Sequence, residues 1–158
     1  MSGWALWTGR QPCSPGSAPR HTGGHLRHFF QSFKNQTEAG SVGDMSSVHR
    51  LIPWAGHTNF AASKGGVDLF MRSLVRAVSG EGIRVNAIAP AAIATAIHQA
   101  FVDDPEARDP LLTMIPYGRI GDVSDVAQAV VWLASDAADF VVGTTLLVDG
   151  GMSGSKQE

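Results

Sequence analysis

The residue types that do chemistry in groups are few and unevenly placed in this 158-residue chain. His21, His25 and His28 have a spacing that can bring imidazoles to one helical face, the arrangement that holds a transition metal. Gly23 and Gly24 oppose a helix there, and no carboxylate accompanies the three rings, so a solvated basic segment is expected and no metal site. Cys13 is the single cysteine, which excludes an internal disulfide and a paired-cysteine zinc site. Tyr117 is the single tyrosine, so acid–base chemistry through a phenol has one candidate in the whole chain.

The elements that must carry such residues are also unevenly placed. Residues 1–43 hold 13 apolar residues with seven glycines and three prolines, whereas residues 44–158 hold 56 apolar residues. The first segment is expected to be irregular. Its one apolar cluster, Leu26, Phe29, Phe30 and Phe33, suits a single short amphipathic helix. From Asp44 onward the periodicity alternates between helix and strand, an α/β signature. Val67, Phe70, Met71, Leu74, Val75 and Val78 recur at helical spacing, and Gly80 and Gly82 stop that helix. The apolar, β-branched run over residues 83–89, ended by Pro90, reads as a strand covered on both faces of a parallel sheet. Asp122 is placed to cap a second helix, with Asp125 at its positive end and Val123, Val126, Ala127, Val130, Val131 and Ala134 as its buried stripe. Residues 144–148 read as a last strand closed by the turn Asp149-Gly150-Gly151. The stretch 97–120, with Pro105, Pro110 and Pro116, is a long excursion with short helices, of the kind that covers a site.

Net charge is −2 and no run of about 18 apolar residues occurs, so neither nucleic acid nor a membrane is an expected partner. The first residues carry no basic leader, and a cytoplasmic location is expected.

Four stretches occur in order over residues 44–154. They are Met45-Ser46-Ser47-Val48-His49, then Asn59-Phe60-Ala61-Ala62-Ser63-Lys64-Gly65-Gly66, then residues 83–90, and last Leu133-Ala134-Ser135-Asp136 with Val148-Asp149-Gly150-Gly151. In this order they resemble the short-chain dehydrogenase/reductase family. Ser47-Val48-His49 followed by Ile52-Pro53-Trp54, with the later Met114-Ile115-Pro116, looks most like its glucose 1-dehydrogenases.

The resemblance implies hydride transfer between an alcohol or hemiacetal and NAD or NADP, assisted by a serine, a tyrosine and a lysine. Ser47 takes the serine position, where a fixed donor stabilises the oxygen that becomes anionic as hydride adds. Lys64 takes the lysine position, on the same helical face four residues after the tyrosine position. There it binds the nicotinamide ribose and lowers the phenol pKa. The tyrosine position is Phe60, a ring without a proton to give. Pro90, Ile93 and Thr95 inherit a cofactor-facing role, while Ala91 stands where the family has glycine. Tyr117 lies beyond the excursion, at the border of the substrate cleft in this family, and is not expected to replace the phenol.

A dinucleotide site also needs a strand feeding a glycine-rich turn. Thr8-Gly9 begins such a motif, but Pro12 and Cys13 follow and no apolar strand precedes it; Asn35 does not match the family's asparagine. The expected architecture is therefore the C-terminal half of a Rossmann-like doubly wound parallel sheet, residues 44–158, preceded by 1–43, which does not match the family. The expected function is an oxidoreductase acting on a sugar or small alcohol and impaired by Phe60. The competing readings are a truncated, non-catalytic relative serving as an oligomerisation module, or a fragment without evolved function. Homo-oligomers are expected, through the helix spanning residues 60–79 or through the sheet edge before Ser47.

Overall fold

The computed structural model describes residues 41–96 and 102–154. Three parallel strands form the main sheet in the order β1–β2–β5: β1 Ser41–Met45, β2 Arg84–Pro90 and β5 Thr145–Val148. The register sets Ser41 beside Arg84 and Met45 beside Ile88, then Ala87 beside Thr145 and Pro90 beside Val148. A second, two-stranded ladder pairs β3 Ile93–Ala94 with β4 Gly121–Asp122, again in parallel. Three helices whose full length lies among the described residues accompany them: α1 Thr58–Val78, α2 Pro105–Thr113 and α3 Val123–Ala134. Among the described residues no helix is long and apolar enough to cross a membrane.

Strand β2 organises the core, because Val85 to Ala89 are all buried, so both faces of the strand are covered. Side chains alternate along it. Ile88 packs with Leu133 and Ala138, flanked by Val126, Ala129, Leu146 and Val148, which makes that face the α3 side. Val85, Ala87 and Ala89 point the other way, the side on which α1 buries Met71, Leu74 and Val78. Val67, Phe70 and Val75 complete the α1 stripe as partly buried residues, in agreement with the helical spacing of the sequence. The chain leaves α1 through a 3-10 turn, Ser79–Glu81, capped by Gly82 at φ 77°, a conformation that favours glycine.

Polar groups tie these layers together. Asn86, 1% exposed, donates from Nδ2 to Val141 O at 2.8 Å and accepts at Oδ1 from Thr144 N at 3.1 Å, which fixes the chain entering β5. Arg84 donates to the carbonyl oxygens of Leu133, Ala134, Ser135 and Ala138, closing the C-terminus of α3 with a cation. Asp122 begins α3 in a capping box with Asp125.

Two expectations are corrected. Strand β1 begins at Ser41, so residues 41–43 belong to the sheet and not to the irregular segment; the remainder of that segment lies outside the described residues, as do Cys13, His21, His25, His28 and Asn35. The inward stripe of α3 is the buried Leu133 with the partly buried Val126 and Ala129, whereas Val123, Ala127, Val130, Val131 and Ala134 are exposed. This helix is apolar on nearly every side, so spacing alone admits several stripes, and Ile88 of β2 selects one.

Candidate active site

Parallel strands present their carboxyl ends on one side, where ligands bind in open α/β sheets. β1 ends there, and Ser46 N continues its ladder by donating to Ile88 O at 2.8 Å. Ser47 then turns the chain: it is extended, caps the 3-10 turn Val48–Arg50, and accepts at Oγ from His49 N at 3.3 Å. That bond uses an acceptor of the hydroxyl and leaves its own O–H to donate. Val48, 1% exposed, anchors the turn by packing with Ile115 and Met152.

Helix α1 supplies the other side. Ser46 Oγ donates to Lys64 O at 3.3 Å, joining the helix to the end of β1. Lys64 Nζ donates to Met45 O at 3.0 Å and stands 5.5 Å from the centroid of the Phe60 ring. One of three ammonium donors is thus fixed on backbone and the cation faces the ring, an arrangement attractive through the ring quadrupole. The sequence-assigned Ser47, Phe60 and Lys64 therefore stand around one strand end. At Phe60 the surroundings suited to lowering a phenol pKa meet a ring with no oxygen.

The sequence motifs assigned no role to three further aromatic rings beside this group. Trp54 is stacked between His49, at 4.4 Å and 20°, and His57, at 3.8 Å and 14°. Phe60 meets His49 and Trp54 edge-on, at 6.1 and 5.8 Å. The rings come from a loop without regular period, so only the composition of residues 49–60, rich in histidine and tryptophan, signals them.

Asp68 was also missed. It pairs with Arg50 at 2.8 Å and Arg72 at 2.9 Å and accepts from Thr145 Oγ1 at 2.6 Å, which joins the Ser47 turn, α1 and β5. Burial raises this carboxyl, but the hydrogen bonds from Thr145 and Arg72 and the charges of Arg50 and Arg72 outweigh it and hold it below the ordinary range.

The cofactor-facing candidates follow β2. Pro90, Ile93 and Thr95 are all partly buried on a ledge where Ala91 N donates to Val148 O at 3.2 Å. Ile93 packs tightly on Gly121, where an added Cβ would come within 2.6 Å of Ile93 Cδ1. In chemistry Lys64 and this ledge suit the nicotinamide end of a dinucleotide: a cation with donors to spare at the end of β1, and a partly exposed ledge at the end of β2. Among the described residues no group of three or more side chains is placed to hold a metal ion.

Tyr117 stands elsewhere. It is 72% exposed, with the Arg119 guanidinium 5.4 Å from its ring, and it lines a cleft of about 320 Å³ with Ile93, Arg119, Asp125 and Asp149. Arg119 donates to both oxygens of Asp125, at 2.7 and 2.9 Å. These bonds and the Asp122 N–H hold the Asp125 carboxyl down at about 2. Gly150, at φ 58°, supplies the turn beneath Tyr117, whose N–H donates to Gly150 O at 2.9 Å.

A family model described as enoyl-(acyl carrier protein) reductase matches residues 25–153, starting ahead of the boundary expected at residue 44. The chain is 46% identical over 127 residues to 3beta-hydroxysteroid dehydrogenase 1 of Eggerthella lenta, covering 80% of this chain and 49% of that protein. It is 40% identical over 114 residues to glucose 1-dehydrogenase of Gluconobacter oxydans, covering 72% and 43%. The chain thus spans about half the length of the curated relatives it matches. Among solved structures, a gluconate 5-dehydrogenase from Burkholderia cenocepacia in complex with NADP and tartrate superposes with a TM-score of 0.73 at 32% identity, over 83% of this chain and 49% of that one. A short-chain type dehydrogenase/reductase from Mycobacterium ulcerans superposes with a TM-score of 0.77 at 29% identity, over 83% and 47%. The ordered motifs, the parallel α/β architecture and these similarities agree: the chain belongs to the short-chain dehydrogenase/reductase family.

Proposed function

We propose that this chain carries the substrate side and the nicotinamide side of an NAD(P)-dependent dehydrogenase of sugars or small alcohols, with hydride transfer slowed by the absence of a phenol at position 60. When bound, the nicotinamide exchanges the hydride. Lys64 holds the adjoining ribose through its remaining donors, and Pro90, Ile93 and Thr95 border the ring. Ser47 donates its hydroxyl to the substrate oxygen. The observation that carries the reading is Lys64 Nζ lying 5.5 Å from the Phe60 centroid, beside the Ser47 turn, which keeps the site's frame around a ring that lacks its oxygen. The similarities to glucose and rhamnose 1-dehydrogenases support the substrate class.

Positioned general acid–base groups contribute roughly 10²- to 10⁴-fold. F60Y is therefore expected to raise turnover of D-glucose with NADP, by up to about that factor, at unchanged affinity for NADPH measured by fluorescence. Failure of the full chain to bind either NADH or NADPH overturns this reading.

Association with further copies is a second reading, favoured by Leu69 on α1, 67% exposed, and Phe140, fully exposed. A non-catalytic oligomerisation module predicts self-association in sedimentation without cofactor binding, and L69E weakens that association if α1 carries it.

A further inference from the structure

The ring cluster at the strand end contains a proton carrier beside the missing phenol. His49 follows Ser47 by two residues on one turn, and its N–H is bonded to Ser47 Oγ at 3.3 Å, so imidazole and hydroxyl start from the same few atoms of backbone. His49 Nδ1 lies 3.3 Å from Ile52 O. A carbonyl oxygen only accepts, so Nδ1 carries the proton in the neutral ring and Nε2 holds the lone pair. One face of the ring is stacked on Trp54 and the ring meets Phe60 edge-on at 6.1 Å. His57 covers the far face of Trp54, its own Nδ1 3.2 Å from Ala55 O. His49 is partly buried, which keeps a route for a proton between the ring and water.

We propose that His49 is the acid–base residue of this chain, taking the part that a phenol at position 60 would have. The inference rests on the proposed reading of the site as one for a nicotinamide and an alcohol. In the oxidative direction the substrate O–H bond breaks and its proton passes to His49 Nε2. The carbinol C–H bond breaks, its hydrogen leaving with the electron pair for the oxidised nicotinamide, and the carbonyl C=O forms. Ser47 donates to the same oxygen throughout, and the imidazolium returns its proton to water.

Three groups surround the ring: the Trp54 face on which it stacks, Lys64, held on Met45 O beside Phe60, and His57, across the indole. Arg50, next in the chain, is neutralised by Asp68. Tyr117 stands against Arg119 instead.

The test uses the full chain. NADPH binding is measured first by fluorescence: no binding overturns the reading of the site and this inference together. With binding established, H49Q is expected to lower D-glucose turnover about a hundredfold at unchanged NADPH affinity, and added imidazole is expected to restore part of the rate to H49A. The same H49Q replacement is expected to cost at least about tenfold less in the F60Y background, because the phenol then serves. Side-chain ¹⁵N spectra supply a readout apart from turnover, with the His49 Nε2 resonance shifting when NADP and D-glucose are added. Binding without any turnover, turnover indifferent to H49Q, or a His49 Nε2 resonance that stays in place each overturns the inference while leaving the reading of the site intact.

Discussion

Two regions near the carboxyl ends of the strands use their side chains in opposite ways. Around Ser47, Phe60 and Lys64, position is fixed by backbone: Met45 O holds the ammonium, Lys64 O receives Ser46, and His49 N engages Ser47. The functional ends of these side chains keep unused donors and lone pairs. Around Tyr117, Arg119 and Asp125, charged groups satisfy one another, with both carboxylate oxygens of Asp125 taken by one guanidinium. A region whose charges are mutually paired has stability to offer, and one whose side chains are held by backbone has chemistry to offer. The chain's only phenol belongs to the first kind of region, and its best-framed ring, Phe60, belongs to the second.

The sharpest way to break this comparison is to exchange phenol for phenyl in each region. F60Y is expected to raise turnover by about 10²- to 10⁴-fold in the H49Q background, and by less where His49 already serves. Y117F, in the F60Y background, is expected to change kcat by less than about twofold, because Tyr117 is exposed and set against Arg119. A large loss of kcat in Y117F would move the acid–base role to the region around Tyr117 and reverse the comparison.

How far the sequence reveals these regions follows from what holds each element. Helix α1 and strand β2 were legible because their apolar period and their stop signals, Gly82 and Pro90, are local. Strand β1 was not: Ser41-Val42-Gly43-Asp44-Met45 has one β-branched residue and little strand propensity, and it is a strand because β2 offers a parallel edge in register. Ser47, Phe60 and Lys64 were assigned through the ordered stretches that resemble the short-chain dehydrogenase/reductase family. The bond that Thr145 Oγ1 donates to Asp68, 77 positions away, depends on tertiary proximity, and single-sequence spacing carries no trace of that; the Trp54 stack is local but lies where the chain has no regular period. The buried stripe of α3 failed for a related reason, since an all-round apolar helix leaves the choice of face to Ile88.

Stability separates the regions next. Asp68 and Arg50 are 13% and 10% exposed, and D68N leaves a nearly buried guanidinium without its counter-charge while weakening the bond to Thr145. A loss of about 2–3 kcal/mol is expected in denaturant unfolding, below the range for fully buried pairs because both side chains keep some exposure to water. The pH dependence has a definite sign. The folded carboxyl lies below its unfolded value of about 3.9, so its contribution is complete above that value and is lost as pH falls through the folded one. D68N is therefore expected to flatten the acid limb of the stability curve below about pH 4.

Asp44 tests the opposite sign within the strand that ends at the site. Burial raises its carboxyl, and Oδ2 has no hydrogen-bond partner. The folded value exceeds the unfolded one, so the ionised form is penalised at neutral pH and stability rises as pH falls through the folded value. D44N is expected to stabilise the chain at pH 7 by up to about 1 kcal/mol, with a difference that closes in acid.

The smallest effect belongs to the exposed pair. Asp125 is held down at about 2 by Arg119 and by the Asp122 N–H, so its contribution is complete above about pH 4, the unfolded value, and is lost as pH falls towards 2. D125N removes the carboxylate that Arg119 grips and half of the capping box of α3. Because the pair stands in solvent, the fall in melting temperature is expected to be smaller than for D68N and to shrink further in high salt. The cap fixes the start of the helix that covers Ile88, and Ile88 O receives Ser46 N one residue before Ser47. If D125N nevertheless alters NADPH affinity, the two regions are coupled through α3 and β2. An unchanged affinity at reduced melting temperature leaves the paired region structural and the backbone-held region chemical.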